Sequence, residues 1–430
     1  MTRDPLPRKR LHMRYGVNQA DQCADFATGA HREAIRKRLR EVDTGLVRLF
    51  LFDKGAPDPV EKWPTFAAYV QAVLELGATP MITFAKLHRS VDDPRALRWF
   101  AGQCSDVVWG CVEQWGADAV ADWYWCVWNE PNSEWVGGGL SFEQYRRVYE
   151  AVAEAITPWL PAARGDRPLR LGGPAVEGFQ PFWMDWVWRF LNEIDPALVG
   201  FVDWHCYADW RDYGESGAPA HEGHYKALLM SRAADYESRS RAIGELIGDR
   251  PVANICGELN THSHYTDEVR GRFNHSVFGA TFYVAALLRL MRTDVDAEMY
   301  WTGTEDRGGY GLLRSDGTPA PAFLAKRLCA QHVRTGDWVS FPRWNRPGVP
   351  VDAVMAEGSD GRRGAVLVHL SGRPAVYDLA DLDPFLADCP RILKIDEGTG
   401  NEVVSCPADS KISFEGYGVA AVGNEGMTPR

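Results

Sequence analysis

The strongest constraint on this chain is a rhythm. Eight short apolar, β-branched or aromatic runs recur along it, each followed by a longer stretch with helical spacing. The runs are RYGVNQA (14–20), LVRLFLF (46–52), TPMITFA (79–85), WYWCVWNE (123–130), LRLGGPA (169–175), FVDWHCYA (201–208), VANICGEL (252–259) and AEMYWTG (297–303). Strand-then-helix units repeated in this way wrap around a parallel sheet. Eight of them predict an α/β fold of the (β/α)8 TIM-barrel type. The competing doubly wound sheet needs a glycine-rich phosphate turn after its first strand, and none stands there. The helix signals agree: Ser141 precedes the periodic FEQYRRVYEAVAEAI, and PTFAAYVQAVLELGA opens with Pro64 and closes on Gly77.

From about Asp337 the helical spacing stops. Short alternating runs follow, among them RRGAVLVHLSG, PRILKIDEGTG and KISFEGYGVAAVG, separated by Gly, Pro and Asp turns. They predict a β-sandwich appendage over 337–430, leaving 1–336 as the barrel.

Composition narrows the function classes. Hydrophobic residues make up 45% and charged residues 24% of 430, which suits a globular protein. A net charge of -11 argues against a nucleic-acid groove. No apolar run reaches the roughly 18 residues of a membrane span, and the basic start MTRDPLPRKRLHMRYG lacks an apolar stretch behind it, so a cytoplasmic protein with no membrane partner is expected. Nine cysteines without a CxxC pair speak against a disulfide framework or a zinc ribbon. Seventeen tryptophans suit stacking on sugar rings, and equally a large core.

In a parallel barrel the active site lies at the C-terminal strand ends. Glu130 ends the fourth run and Glu258 the seventh. Arg48 lies within the second, His205 and Tyr207 near the end of the sixth, and Trp301 on the eighth. Two facing carboxylates are what glycoside hydrolysis requires, one to protonate the leaving oxygen and one to attack or to activate water. Taken singly, Glu130 reads as a structural carboxylate and His205 as a satisfied core histidine. Arg48 differs, because a cation inside an apolar run needs a partner, and Glu258 is the expected one. Glu258, His262 and His264 also offer metal-ligand chemistry, although the HSH alternation reads as loop, so no metal is expected.

VWNEPN, followed by Trp135, resembles the acid/base motif of clan A glycoside hydrolases, and closely that of glycoside hydrolase family 39, which holds β-xylosidases and α-L-iduronidases. LRLGGPAV, DWHCY, CGELN and YGLLRSDGTPAPAFLA resemble later segments of the same family, in the same order, so the likeness covers about 14–336. It implies a barrel with a β-sandwich tail and a carbohydrate partner. It also implies a retaining reaction without cofactor, with Glu130 as general acid/base and Glu258 as nucleophile. Asn129 would bond the sugar 2-hydroxyl, Arg48 and Tyr207 would hold Glu258 ionised, His205 would tune the carboxylates, and Trp301 would floor the sugar subsite. Leu259 stands where the family commonly has an aromatic residue.

The resemblance points first to an exo-acting β-xylosidase-like enzyme. An endo-acting enzyme is the rival if Trp125, Trp135 and Trp210 line a long cleft. A uronic-acid glycosidase is another if Lys86, His88 and Arg89 grip a carboxylate; a solvated basic turn is the plainer reading of those three. A non-catalytic carbohydrate-binding barrel is the last. The sequence leaves a homo-oligomer open.

Overall fold

The computed structural model describes residues 7–19, 23–52, 62–160, 169–179, 182–209, 221–263, 273–305, 309–342, 348–383, 386, 389, 391–407 and 410–424. Ahead of the barrel lies a short strand β1 (Lys9–Arg10). Eight parallel strands then close on themselves: β2 (Arg14–Gln19), β3 (Thr44–Leu51), β4 (Thr79–Phe84), β5 (Tyr124–Val127), β6 (Leu171–Val176), β7 (Phe201–Asp209), β8 (Ala253–His262) and β9 (Ala297–Tyr300), with β9 pairing back onto β2. Each coincides with one of the eight apolar runs. The helix signals hold locally too. Ser141 and Gln144 form a reciprocal capping box at the start of the helix Phe142–Ile156. Pro64 opens the helix Trp63–Leu76, and Gly77 ends it in the left-handed conformation at φ 80°.

Alternation along the strands builds the barrel interior in layers. Leu46, Met81, Cys126, Phe201, Ile255, Ala297 and Met299 pack into an apolar plug. Two residues further along three of these strands come Arg48, Thr83 and Asp203, all fully buried. On β7 the same face continues through His205 to Tyr207. The plug thus gives way to a polar layer, and that layer opens toward the C-terminal strand ends.

On β8 the alternation breaks. Asp203 pairs with Ile255 and Trp204 with Cys256, but His205 pairs with Glu258, so Gly257 is an extra residue. Such a bulge re-aims the following side chain. Glu258 thereby faces inward beside His205. Only glycine fits at the bulge: a Cβ on Gly257 would stand 1.8 Å from Asp203 Oδ1.

The second unit is antiparallel. Strands β10 (Trp338–Ser340), β11 (Val351–Glu357), β12 (Arg363–His369), β13 (Ala375–Asp378), β14 (Arg391–Asp396), β15 (Val404–Pro407), β16 (Lys411–Phe414) and β17 (Gly418–Gly423) form a seven-stranded sheet, ordered β1-β10-β11-β12-β17-β14-β15, and a two-stranded sheet, β13-β16. The sequence points to the sandwich runs but not to β1, which is too short for a periodic signal; Lys9 pairs with Val339 and so ties the chain start to this sheet. Alternate residues of β12 bury different faces. Ala365 and Leu367 pack with Tyr377 and Phe414 of the smaller sheet, whereas Val366 and Val368 join the main core against the barrel. Phe278 meets Tyr417 edge-on at 4.9 Å across the junction, and Arg292 grips Asp352 there.

Candidate active site

The fourth barrel strand, β5, ends at Val127, and the chain then turns sharply. Trp128 and Glu130 both take positive φ, 75° and 48°, a conformation that costs a residue with a Cβ about 1–2 kcal/mol. The turn is held from outside. Asn129 N–H donates to Ala85 O and Glu130 N–H to Ala175 O, both at 2.9 Å. Trp128 Nε1–H donates to Gly137 O at 3.0 Å. Backbone strain paired with many supports fits a side chain held where function needs it.

Arg48 organises what lies beneath. Its Nη1 donates to Glu258 Oε1 at 3.0 Å, Nη2 to Asn129 Oδ1 at 3.0 Å and Nε to Thr83 Oγ1 at 2.8 Å. Asp203 Oδ2 lies 3.4 Å away. Burial disfavours the Arg48 charge, but Asp203 and the surrounding carboxylates more than offset this and raise its pKa. Tyr207 donates its hydroxyl to Glu258 Oε2 at 2.6 Å, so each oxygen of Glu258 has a donor.

His205 bridges the two glutamates. Its Nδ1 lies 2.7 Å from Glu130 Oε1 and 3.6 Å from Glu258 Oε1, and its Nε2 lies 3.2 Å from Arg48 Nη1. A guanidinium only donates, so Nε2 accepts and the proton sits on Nδ1, which donates to Glu130. Burial lowers the His205 pKa against the pull of Glu258 and Asp203, in keeping with a neutral ring. The second oxygen of Glu130 is left for another partner.

Both glutamates hold protons more tightly than an ordinary carboxyl. Burial pushes Glu130 up to about 8, with the charges of Glu177 and Asp203 adding to it and Arg48 opposing. Burial also pushes Glu258 up to about 7; His205 pulls it down, Glu130 pushes it up, and Arg48 and the Tyr207 bond pull it down again. Glu258, with a donor on each oxygen and one of them the Arg48 cation, is the more readily ionised of the two.

The donor atoms of Glu130, His205 and Glu258 all lie within 4.8 Å of one another, a spacing that could hold a metal ion. The guanidinium of Arg48, bonded to two of the three, repels a cation there, and Nδ1 is already engaged by Glu130. His262 is buried at the end of β8, where its backbone N–H and C=O both bond the Asn274 side chain. His264 and Trp210 lie outside the described residues.

Six of the residues singled out by sequence thus meet: Glu130, Glu258, Asn129, Arg48, His205 and Tyr207. Trp301 stands at the edge, its ring 5.6 Å from that of Phe50, over which Arg48 lies at 4.5 Å. His88 stands apart, exposed, its Nε2 2.7 Å from Phe52 O. Its neighbours are also engaged: Lys86 donates to Val136 O at 2.9 Å, and Arg89 lies 5.7 Å over Trp99. Trp125 is not at the rim, because it faces the helix layer and stacks on Phe84 at 5.9 Å; Trp135 is 88% exposed. Asp203, Thr83 and Glu177 join the site without a motif of their own in the sequence. Asp203 was within reach, since it shares the period-2 face of His205 and Tyr207 and interrupts an apolar run.

A closed parallel barrel with an antiparallel appendage and a carboxylate-lined mouth defines the class, and solved structures share the architecture. A monomeric β-xylosidase from Caulobacter crescentus CB15 superposes with a TM-score of 0.66 at 16% identity, over 97% of each chain. A family 51 α-L-arabinofuranosidase from Bifidobacterium longum gives 0.65 at 15%, also over 97% of each. At such identities the likeness is one of fold. The chain belongs to glycosyl hydrolases family 39, whose model matches residues 56–302, more than half its length. It is 23% identical over 308 residues to a β-xylosidase of Geobacillus stearothermophilus and 22% identical over 289 residues to one of Caldicellulosiruptor saccharolyticus. These matches take in 66% and 60% of the chain, but only 58% and 54% of those enzymes. Arg48 lies ahead of the segment the family model matches.

Proposed function

We propose that the protein is a retaining glycoside hydrolase working by double displacement, with Glu258 as nucleophile and Glu130 as acid/base. The observation that carries this reading is the geometry of the two glutamates: Glu258 has a donor on each oxygen, one of them the Arg48 cation, while Glu130 keeps one oxygen open. One oxygen of each lies within 4.8 Å of the other, which fits the close carboxyl pair of retention, about 5–5.5 Å apart, better than the wider inverting gap that must admit water. Glu258, bonded by Arg48 and Tyr207, attacks the anomeric carbon while Glu130 gives its proton to the leaving oxygen. His205 keeps one Glu130 oxygen fixed, so the other faces the glycosidic bond. Once the glycosyl–enzyme ester forms, the charge of Glu258 is consumed; Glu130 then takes a proton from the water that frees the sugar. Asn129, aligned by Arg48, reaches the sugar 2-hydroxyl, and Trp301 lies under the ring.

For the substrate, relatives named β-xylosidases favour an exo-acting β-xylosidase-like enzyme. The endo-acting reading is weakened because Trp125 is buried. The uronic-acid reading is weakened because Lys86 and Arg89 already have partners. The test is nitrophenol release from aryl glycosides of xylose, arabinose, glucose, galactose, fucose and uronic acids, by wild type and Glu258→Ala in parallel, with the anomer of the first product read by NMR. Release of a β-sugar of retained configuration by wild type alone supports the reading. An inverted product, or equal release by the variant, overturns it.

A further inference from the structure

A third carboxylate stands against the pair. Glu177 follows β6, on the loop beside the Glu130 turn, and the two loops are locked together. Asn132 Nδ2 donates to Glu177 O and Glu177 N–H donates to Asn132 Oδ1, both at 2.9 Å. Two residues back, Ala175 O receives the Glu130 amide. The Glu177 side chain is half-buried beside Ser133, itself 1% exposed and within the Glu130 turn, while its Oε2 is buried and meets no donor among the described residues. No described cation pairs with it, although Arg239 approaches the neighbouring Gly178, where an added Cβ would lie 2.3 Å from Nη1.

We propose that Glu177 is a positioning residue for the acid/base: the Asn132 clamp fixes the Glu177 backbone beside the Glu130 turn, and from there the negative charge of its side chain keeps the proton on Glu130. This rests on the assignment of Glu130 above. The groups facing Glu130 are Arg48 from β3, Asp203 and His205 from β7, Glu258 from β8 and Glu177 from the loop after β6. Arg48 and its three other neighbours in the pocket are already bound to one another: Arg48 to Asp203 and Glu258, and His205 to Arg48. Glu177 is the negative charge outside that network, and its effect on Glu130 is second only to burial. Burial pushes the Glu177 pKa up, with nearby Ser133 opposing.

An anion beside an acid raises the acid's pKa, so neutralising Glu177 lets Glu130 lose its proton at lower pH. The experiment is the pH profile of kcat/KM for wild type, Glu177→Gln and Glu177→Asp, with the Glu130 carboxyl titrated in parallel by 13C NMR and assigned by its loss in Glu130→Gln. The expected result for Glu177→Gln is an alkaline limb about 0.5–1 pH unit lower, with the acid limb in place and plateau kcat/KM within about threefold. Glu177→Asp keeps the charge and should keep the wild-type limb. An unmoved limb in Glu177→Gln, or the same shift in Glu177→Asp, overturns the proposal, because a purely structural role does not distinguish charge. The NMR titration needs no turnover. If wild type hydrolyses no glycoside yet Glu130 still titrates lower in Glu177→Gln, the functional assignment fails and the charge coupling stands.

Discussion

Two buried cations sit on opposite sides of the barrel wall, and their surroundings differ in one respect. Arg48 lies inside, 0% exposed, and shares its pocket with Asp203, Glu258 and Glu130. Lys326 lies outside, between wall and helices, also 0% exposed; it bonds Glu298, donates to Tyr283 Oη at 2.8 Å and Gly16 O at 3.1 Å, and sits over the rings of Tyr15 and Tyr283. The outer site is balanced, one cation to one carboxylate. The inner site has more carboxylates than cations, so its protons are shared and poised near neutrality. Balance makes a strut; imbalance makes a group that can give a proton away.

The contrast is broken most severely at the inner site. Glu258→Ala should lower turnover on the order of 10⁴-fold while the protein stays folded, measured as nitrophenol release against an unchanged near-UV circular dichroism spectrum. Removing either cation leaves a buried anion unpaired, so Arg48→Met and Lys326→Met should each lose about 3–5 kcal/mol in urea melts. Only the first should also abolish activity per folded molecule. Adding Glu298→Gln to Lys326→Met should restore most of the loss, since the stranded charge goes with it; failure to do so would show that Lys326 acts through packing instead. Gly257→Ala should cost about 1–3 kcal/mol, because its Cβ collides with Asp203 at the bulge, and should raise KM and lower kcat together as Glu258 swings from line.

The last effect is on pH. Both site glutamates have pKa values raised above those of the unfolded chain, so the folded state binds their protons more tightly. The stability this adds is fully present below the unfolded value of about 4.3. It is lost as pH rises through about 7 for Glu258 and about 8 for Glu130. Melting temperature should therefore fall by a few degrees between pH 5 and 9, and Glu130→Gln should flatten that fall. An unchanged slope in the variant would place the titration elsewhere.

How much was legible beforehand follows from the range of each signal. The eight strands were readable because hydrophobic spacing is local and each run carries its own period. Arg48 was readable as a charge in need of a partner, and Glu258 is that partner. Glu177 was not readable, because a Glu after a strand looks like any surface carboxylate until the Asn132 clamp brings it to Glu130. The basic turn at His88 was legible as a turn but not in its contacts, since only the structure shows Lys86 bonded to Val136 O and Arg89 over Trp99. Trp125 misled by position, because alternation alone does not say which face of β5 looks into the barrel.

What the sequence by itself determined is the order of elements, the closed parallel sheet they build, and the residues at strand ends, because propensity, periodicity and capping act over a few residues. What only the tertiary structure decided is which of those residues meet and what protons they hold. The bulge at Gly257 turns Glu258 inward, closure sets Arg48 among Asp203, Glu258 and Glu130, and burial raises the pKa of the two glutamates. Register, closure and desolvation depend on neighbours hundreds of residues away, and no local stretch of chain contains them.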